Sequence, residues 1–280
     1  MVSVKVASVA GALALFAPLA QAADMPGLPP VYPPQIEEYV AASGWYLRGD
    51  IGMTNQRFKG LHQRLYDVPG TTVEAVGMGW DSSMFFGLGV GYKFNDWFRA
   101  DLTGEYRGKA NFHGSDNVVF NGGRGVDNYS GSKSEWVFLA NAYVDLGTWW
   151  CITPYIGAGI GGAQVNITGF RDDGFNNVGG LSVSTTYAAD ASKWNFAWAL
   201  HAGVSYKVNS QLSLEFAYRY VSLGDAISGD LKTFDGLNPI YNPMEFRSIT
   251  SHDLRFGARW LLEPPVPPQP IMLPPLTSRG

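Results

Sequence analysis

The stretch Trp194-Asn195-Phe196-Ala197-Trp198-Ala199-Leu200-His201-Ala202-Gly203-Val204-Ser205-Tyr206-Lys207-Val208 alternates without a break. One face reads Trp194, Phe196, Trp198, Leu200, Ala202, Val204, Tyr206, Val208. The other reads Asn195, Ala197, Ala199, His201, Gly203, Ser205, Lys207. Successive side chains of a strand point to opposite sides, so this is a strand with one apolar face and one small or polar face. The pattern recurs in Leu212, Leu214, Phe216, Tyr218, Tyr220 against Ser213, Glu215, Ala217, Arg219. It recurs again in Leu254, Phe256, Ala258, Trp260, Leu262 against Asp253, Arg255, Gly257, Arg259. Such runs, about ten residues long, suit a strand tilted through a membrane, whereas soluble strands have about five or six.

Working outward, the same reading finds Gly44–Thr54, Met84–Phe94, Phe98–Gly108, Ser134–Leu146 and Ile152–Gly162, and closes the last three strands as Trp194–Val208, Leu212–Val221 and Ser251–Leu262. That predicts an all-β fold: a transmembrane, up-and-down, antiparallel barrel of eight strands. Asn95-Asp96-Trp97, Gly147 to Cys151 and Asn209-Ser210-Gln211 are tight turns. Between them lie Asn55–Ser83, Lys109–Lys133, Ala163–Lys193 and Ser222–Thr250, rich in Gly, Asn, Asp and Ser. Long outside loops alternating with short periplasmic turns suit an outer-membrane barrel, and compact soluble domains rarely carry loops beyond about 15 residues. An even strand count places both chain ends on the periplasmic side.

The ends carry their own signals. Lys5, the apolar run Val6–Leu19 and Ala20-Gln21-Ala22 read as a secretory signal peptide over residues 1–22, cleaved before Ala23. Residues 23–43 form a Pro-rich leader, 44–262 the barrel and 263–280 a Pro-rich tail. Proline fixes φ and lacks a donor, so both flanks are extended spacers, also able to dock as polyproline helices. The tail is too short for a peptidoglycan-binding domain. The 280 residues fit one domain; 16% are charged, below the roughly 25% of soluble domains. A net charge of −4 without a basic stripe excludes nucleic acid as a partner. Cys151, the single cysteine, excludes an internal disulfide and a cysteine-based zinc site; it is expected to be a free, unreactive thiol.

The composition of the second face decides which side is inside. Gly87, Gly89, Gly91, Gly157, Gly159, Gly161, Ala197, Ala199 and Gly203 are poor strand formers but fit the tight interior of a narrow barrel. The charges on that face balance: Arg48, Arg99, Arg107, Lys207, Arg219, Arg255 and Arg259 against Asp50, Asp101, Glu105, Glu135, Asp145, Glu215 and Asp253. Buried charges must be paired. Antiparallel order predicts Arg107 with Glu135 near the top, Arg99 with Asp145 near the bottom, Glu215 with Arg259, and Asp50 with Arg255 across the closing seam. Aromatic residues gather at strand ends. Tyr92, Phe94, Trp97, Phe98, Trp149, Trp150 and Trp260 lie toward the periplasm; Phe86, Tyr106, Trp136, Phe138, Trp194, Phe196 and Tyr220 lie toward the loops. Two such belts mark the two membrane interfaces.

The opening Gly44-Trp45-Tyr46-Leu47-Arg48-Gly49-Asp50-Ile51-Gly52 and the strand Phe85-Phe86-Gly87-Leu88-Gly89-Val90-Gly91-Tyr92-Lys93-Phe94, with the signal and leader, resemble the opacity-type surface-antigen barrels of alphaproteobacteria. These are similar in fold to the OmpA-like eight-stranded barrel and are grouped with porin-like proteins. The resemblance covers Ser43 to Leu262 and implies an abundant envelope protein with exposed loops. Its partners would be outer-membrane lipids and lipopolysaccharide, with peptidoglycan or other envelope proteins reached through the Pro-rich tails. Unlike many such barrels, the chain does not end on the aromatic residue of its last strand.

Other motifs carry less. Gly157-Ala158-Gly159-Ile160-Gly161-Gly162 has dinucleotide spacing but no helix follows, so no cofactor is expected. His113-Gly114-Ser115 and Ser251-His252-Asp253 invite comparison with the lipid-modifying hydrolases among small barrels. Ser251 and His252 diverge in an extended strand, and no acid orients His113. His201 belongs to the lumen network. Asp172-Asp173-Gly174 reads as solvated loop in preference to a calcium site. The expectation is a non-enzymatic envelope protein with a largely closed lumen, since eight strands leave room only for side chains and a diffusion porin needs about sixteen. The alternative is ligand or host-surface binding through the loops. Their aromatics (Trp80, Phe120, Tyr129, Phe175, Tyr187, Phe234 and Tyr241) would either meet a ligand or fold the loops onto each other.

Overall fold

The computed structural model describes residues 43–177, 179–236 and 240–262. The segments read from sequence as signal peptide, leader up to residue 42, and tail from residue 263 lie outside the described residues. The strands are β1 (Gly44–Arg57), β2 (Gly60–His62), β3 (Thr72–Trp80), β4 (Ser83–Lys93), β5 (Phe98–Phe120), β6 (Gly123–Asp145), β7 (Ile152–Asn177), β8 (Leu181–Ala188), β9 (Ala191–Lys207), β10 (Leu212–Thr233) and β11 (Pro243–Leu261). Eight of them, β1-β4-β5-β6-β7-β9-β10-β11, form an antiparallel ring closed by β11 against β1. Closure leaves no edge strand in the ring. The other three continue the wall upward. β2 pairs with β11 above β1, β3 with β5 above β4, and β8 with both β7 and β10 above β9.

The stretches read from sequence as long loops are therefore mostly wall. β5 runs on to Phe120 and β6 starts at Gly123, so only Asn121 and Gly122 turn between them, with Gly122 at φ 93°. β-Bulges explain why alternation hides this. On β5 the inward residues are the odd-numbered Arg99, Asp101, Glu105 and Arg107, then the even-numbered Ala110, Phe112 and Asp116. The register shifts between Arg107 and Ala110. Comparable shifts fall between Ser130 and Ser132, and between Ser222 and Ala226. Each extra residue inverts the phase, so a period-two reading stops at the bulge.

Below the bulges the apolar face is outside. Leu47, Ile51, Leu88, Leu102, Ile156, Ile160, Leu200, Leu254 and Phe256 are exposed, Leu88 by 74%. A soluble barrel would bury this face; a bilayer covers it. At its upper edge Tyr106, Trp136, Phe138 and Trp194 form a continuous aromatic surface, with ring centroids 4.9, 6.4 and 6.3 Å apart in that order. At its lower edge Trp45, Tyr92, Phe94, Phe98 and Trp97 follow one another at 5.3, 5.1, 5.3 and 5.7 Å. Trp149, Trp150 and Trp260 are exposed near the same edge.

The interior has two storeys. The membrane storey is lined by charges, and small residues make space for them. A Cβ on Gly89 would sit 2.8 Å from the Leu102 carbonyl oxygen and 3.0 Å from Arg48 Cγ. Above it, inside the extension, lies an apolar core that includes Trp80, Phe112, Val165, Ile167, Phe170, Leu223, Met244, Phe246 and Ile249.

Candidate functional site

In the membrane storey the strands bring thirteen of the fourteen charges, all but Lys207, into two knots. Lower down, Arg48 reaches Asp50 at 2.9 Å, Asp101 at 2.7 Å and Glu215 at 3.1 Å. Arg99 lies 3.2 Å from both Asp145 and Glu215, with its guanidinium 4.3 Å from the Tyr143 ring centroid and 4.5 Å from that of Tyr155. Arg259 meets Glu215 at 3.2 Å, and Arg255 lies 3.6 Å from Asp50. In the upper knot Arg107 meets Glu105 at 2.8 Å and Asp253 at 2.6 Å, with Glu135 at 3.8 Å. Arg219 holds Glu105 at 2.7 Å and Asp253 at 2.8 Å. Both guanidinium groups lie over the buried Phe85 ring. Multidentate pairing of this kind is what makes burying so many charges tolerable.

Sequence reasoning did not find several members. Lys133 pairs with Glu135 and Gln56, and its ammonium lies 4.9 Å from the Trp80 ring, linking the two storeys. Position 133 ended a segment read as loop, so no face could be assigned to it. Tyr46 donates to Asp101 at 3.1 Å, and Asn141 bridges Asp101 and His201 at 2.8 and 3.2 Å. Lys207 is exposed at the lower mouth, where a cavity of about 490 Å³ ends on Tyr46, Asp145 and Arg259. Between this mouth and the outer end stand the charged knots and then the apolar core.

The remaining motifs resolve simply. Gly157 to Gly162 lie inside β7, with strand on both sides. Ser251 donates inward to Asp253 at 2.5 Å, while His252 meets Tyr218 outside, also at 2.5 Å. His113 is exposed, 3.7 Å from Asp81, and Ser115 donates to Asn128 at 2.6 Å. Cys151 is free and solvent-exposed in a turn. Asp173 points outward to Arg171 at 2.8 Å, whereas its neighbour Asp172 turns inward, so the two do not share a ligand. Trp80 and Tyr129 are buried in the extension, while Phe175, Tyr187, Phe234 and Tyr241 are exposed on it.

The outer end holds the second cavity, about 370 Å³, under the 3-10 turn Arg64–Asp67. Asp172 pairs with Tyr129 on β6, and Trp136 lies seven positions below Tyr129. At about 3.3 Å per residue and a tilt of roughly 40°, that is about 17 Å beyond the aromatic edge, outside the membrane. Tyr66 and Tyr129 both donate to Asp116 Oδ2, Tyr129 at 2.9 Å. Burial, reinforced by Asp127, Asp116 and Asp173, pushes the Asp172 carboxyl up to about 8. Burial and Asp116 push Asp127 up to about 6. Burial thus raises the cost of ionising both carboxyls, a cost that a positive group beside them would offset.

The antiparallel barrel agrees with the family found for the chain. The family model described as outer membrane protein beta-barrel domain matches residues 7–242. An uncharacterised protein of Brucella suis is 35% identical over 72% of this chain and 75% of its own. A Rickettsia bellii protein, named provisionally as an adhesin, is 30% identical over 62% of this chain and 72% of its own. The crystal structure of the outer membrane protein OprG from Pseudomonas aeruginosa is similar at 17% identity and a TM-score of 0.42, covering 79% of this chain and 97% of OprG. The chain belongs to the outer membrane protein β-barrel domain family and resides in the outer membrane.

Proposed function

We propose that this is a non-enzymatic surface protein whose lumen is closed by its own side chains and whose working surface is the extracellular extension. The observation that carries the reading is that buried charged side chains occupy the lower storey and buried apolar ones the upper, which supports a closed bore and leaves the outward face of the extension for contact. On that face Val126, Phe175 and Val183 are register neighbours across β6, β7 and β8, all exposed, with Leu181 and Tyr187 beside them. An exposed apolar row beyond the lipid belt has no bilayer to cover it, and such rows mark interaction sites. The adhesin name of the Rickettsia relative supports the same reading. Against an enzyme, the paired serines and histidines of the sequence bond to other residues.

The test is the triple variant Val126→Ser, Phe175→Ser, Val183→Ser, expressed at the surface with heat-modifiable mobility as the folding control. Adherence of expressing cells to a host-cell layer is expected to fall to that of cells lacking the protein. Adherence unchanged in a folded triple variant defeats the proposal.

A further inference from the structure

The outer cavity has a chemistry that the surface reading does not use. Asp127 and Asp172 face it from β6 and β7, and Asp116 lies just behind them, held by two tyrosine hydroxyls. No lysine or arginine is among its described lining residues. Arg171, the basic residue beside Asp172 in sequence, is turned outward to Asp173. A separate observation points the same way. Asn242 is 2% exposed, lines the cavity, and gives its amide N–H to Gln63 at 2.7 Å, yet its carbonyl oxygen Oδ1 has no hydrogen-bond partner. Leaving a buried acceptor without a donor is costly, so native structures rarely keep one idle. Leu65, Val68, Val118, Phe120 and Leu231 form an apolar part of the lining, and Gln63, Tyr66, Thr71, Asn176, Ser184 and Thr186 add uncharged polar groups. The site is thus rich in acceptors, without a positive charge among its described lining residues, and walled in part by hydrocarbon.

We propose that this cavity binds a small organic cation, a primary ammonium carried on a compact apolar body. The ammonium has three donors and no acceptor, matching two carboxylates and the Asn242 carbonyl. The apolar body would lie against Phe120, Val118 and Leu65. The volume of about 370 Å³ lies near the lower end for small-molecule sites and suits one ring with a short arm. A bare metal ion fits less well: among the described residues no group of three or more His, Cys, Asp or Glu is arranged to hold one. The upward shifts of Asp127 and Asp172 are consistent, since an ammonium beside them would offset the cost of ionising both.

The experiment is calorimetric titration of the refolded full chain, near neutral pH, with 2-phenylethylamine as the probe. Its neutral analogue 2-phenylethanol and calcium chloride serve as comparison titrants. Saturable binding of the amine is expected, with the alcohol and calcium at least tenfold weaker. Asp127→Asn with Asp172→Asn should lose at least tenfold in affinity. Asp173→Asn, on the outer face, should bind as the parent does, which separates loss of the site from loss of local charge. A folding failure of the double variant is answered by Asn242→Leu, expected to weaken the amine while heat-modifiable mobility is retained. The proposal is overturned by no saturable binding to the parent, by equal binding of amine and alcohol, or by an unchanged amine affinity in either folded site variant.

Discussion

Arg219→Met is expected to destabilise the barrel by about 3–5 kcal/mol, the cost of removing one partner from a buried ion pair. Arg219 sits on β10 facing the lumen and is 1% exposed. It spans to Glu105 on β5 at 2.7 Å and to Asp253 on β11 at 2.8 Å. Methionine fills much of the same volume but leaves both carboxylates short of a cation. Arg107 then remains as the nearby guanidinium for Glu105, Asp253 and the more distant Glu135. Water cannot easily relieve this, because the neighbouring Phe85 is fully buried. The measurement is equilibrium urea unfolding in lipid vesicles. Adding Glu105→Gln alone to the variant should recover a large part of the loss, since it again balances two cations, Arg107 and Lys133, with two carboxylates, Asp253 and Glu135. A loss below about 1 kcal/mol in the single variant, the range of exposed pairs, would show that the knot is hydrated.

Phe112→Ala should have a similar size of effect in a different place. Phe112 is 2% exposed at the centre of the upper storey, with ring centroids 4.8 Å from Trp80 and 5.0 Å from Phe246. Truncating a buried phenylalanine costs about 3–5 kcal/mol in transfer and cavity terms. The extension is packed by this core, whereas the ring below is held by its own ladder and by lipid. The loss is therefore expected to be local: amide exchange rises over residues 110–120 and 243–249, while the ring keeps its protection and its heat-modifiable mobility. Unchanged exchange in the extension would mean that the apolar core does not hold it. Collapse of the entire barrel would mean that the storeys are not separable.

What could be read from sequence ended at the bulges. Below them, each strand keeps one phase, and the lipid-facing band and the eight-strand order were visible as strict alternation. The four charge pairs named from strand order lie at 3.2 Å (Arg99–Asp145), 3.2 Å (Arg259–Glu215), 3.6 Å (Arg255–Asp50) and 3.8 Å (Arg107–Glu135). All four join adjacent strands. The shortest pairs of Arg107 and Arg219 instead cross the lumen, to Asp253 and Glu105. Strand order lists wall neighbours only; an arginine is long enough to reach across a narrow barrel, and nothing in a linear sequence says how far. The extension was hidden for a different reason. Its Gly, Asn, Asp and Ser content signals turns, and inverted phases masked the inward row of Ala110, Phe112, Ile167, Phe170, Phe246 and Ile249. With that row unseen, the outer cavity and the facing of Asp172 could not be seen either.

A closed interior is the claim on which the functional reading stands, and planar-bilayer conductance of the purified, refolded protein tests it most directly, with heat-modifiable gel mobility reporting the folded fraction. A folded barrel without steady channels is expected, because the charged knots and the apolar core occupy the bore in succession. Large, steady conductance from the folded fraction would contradict it.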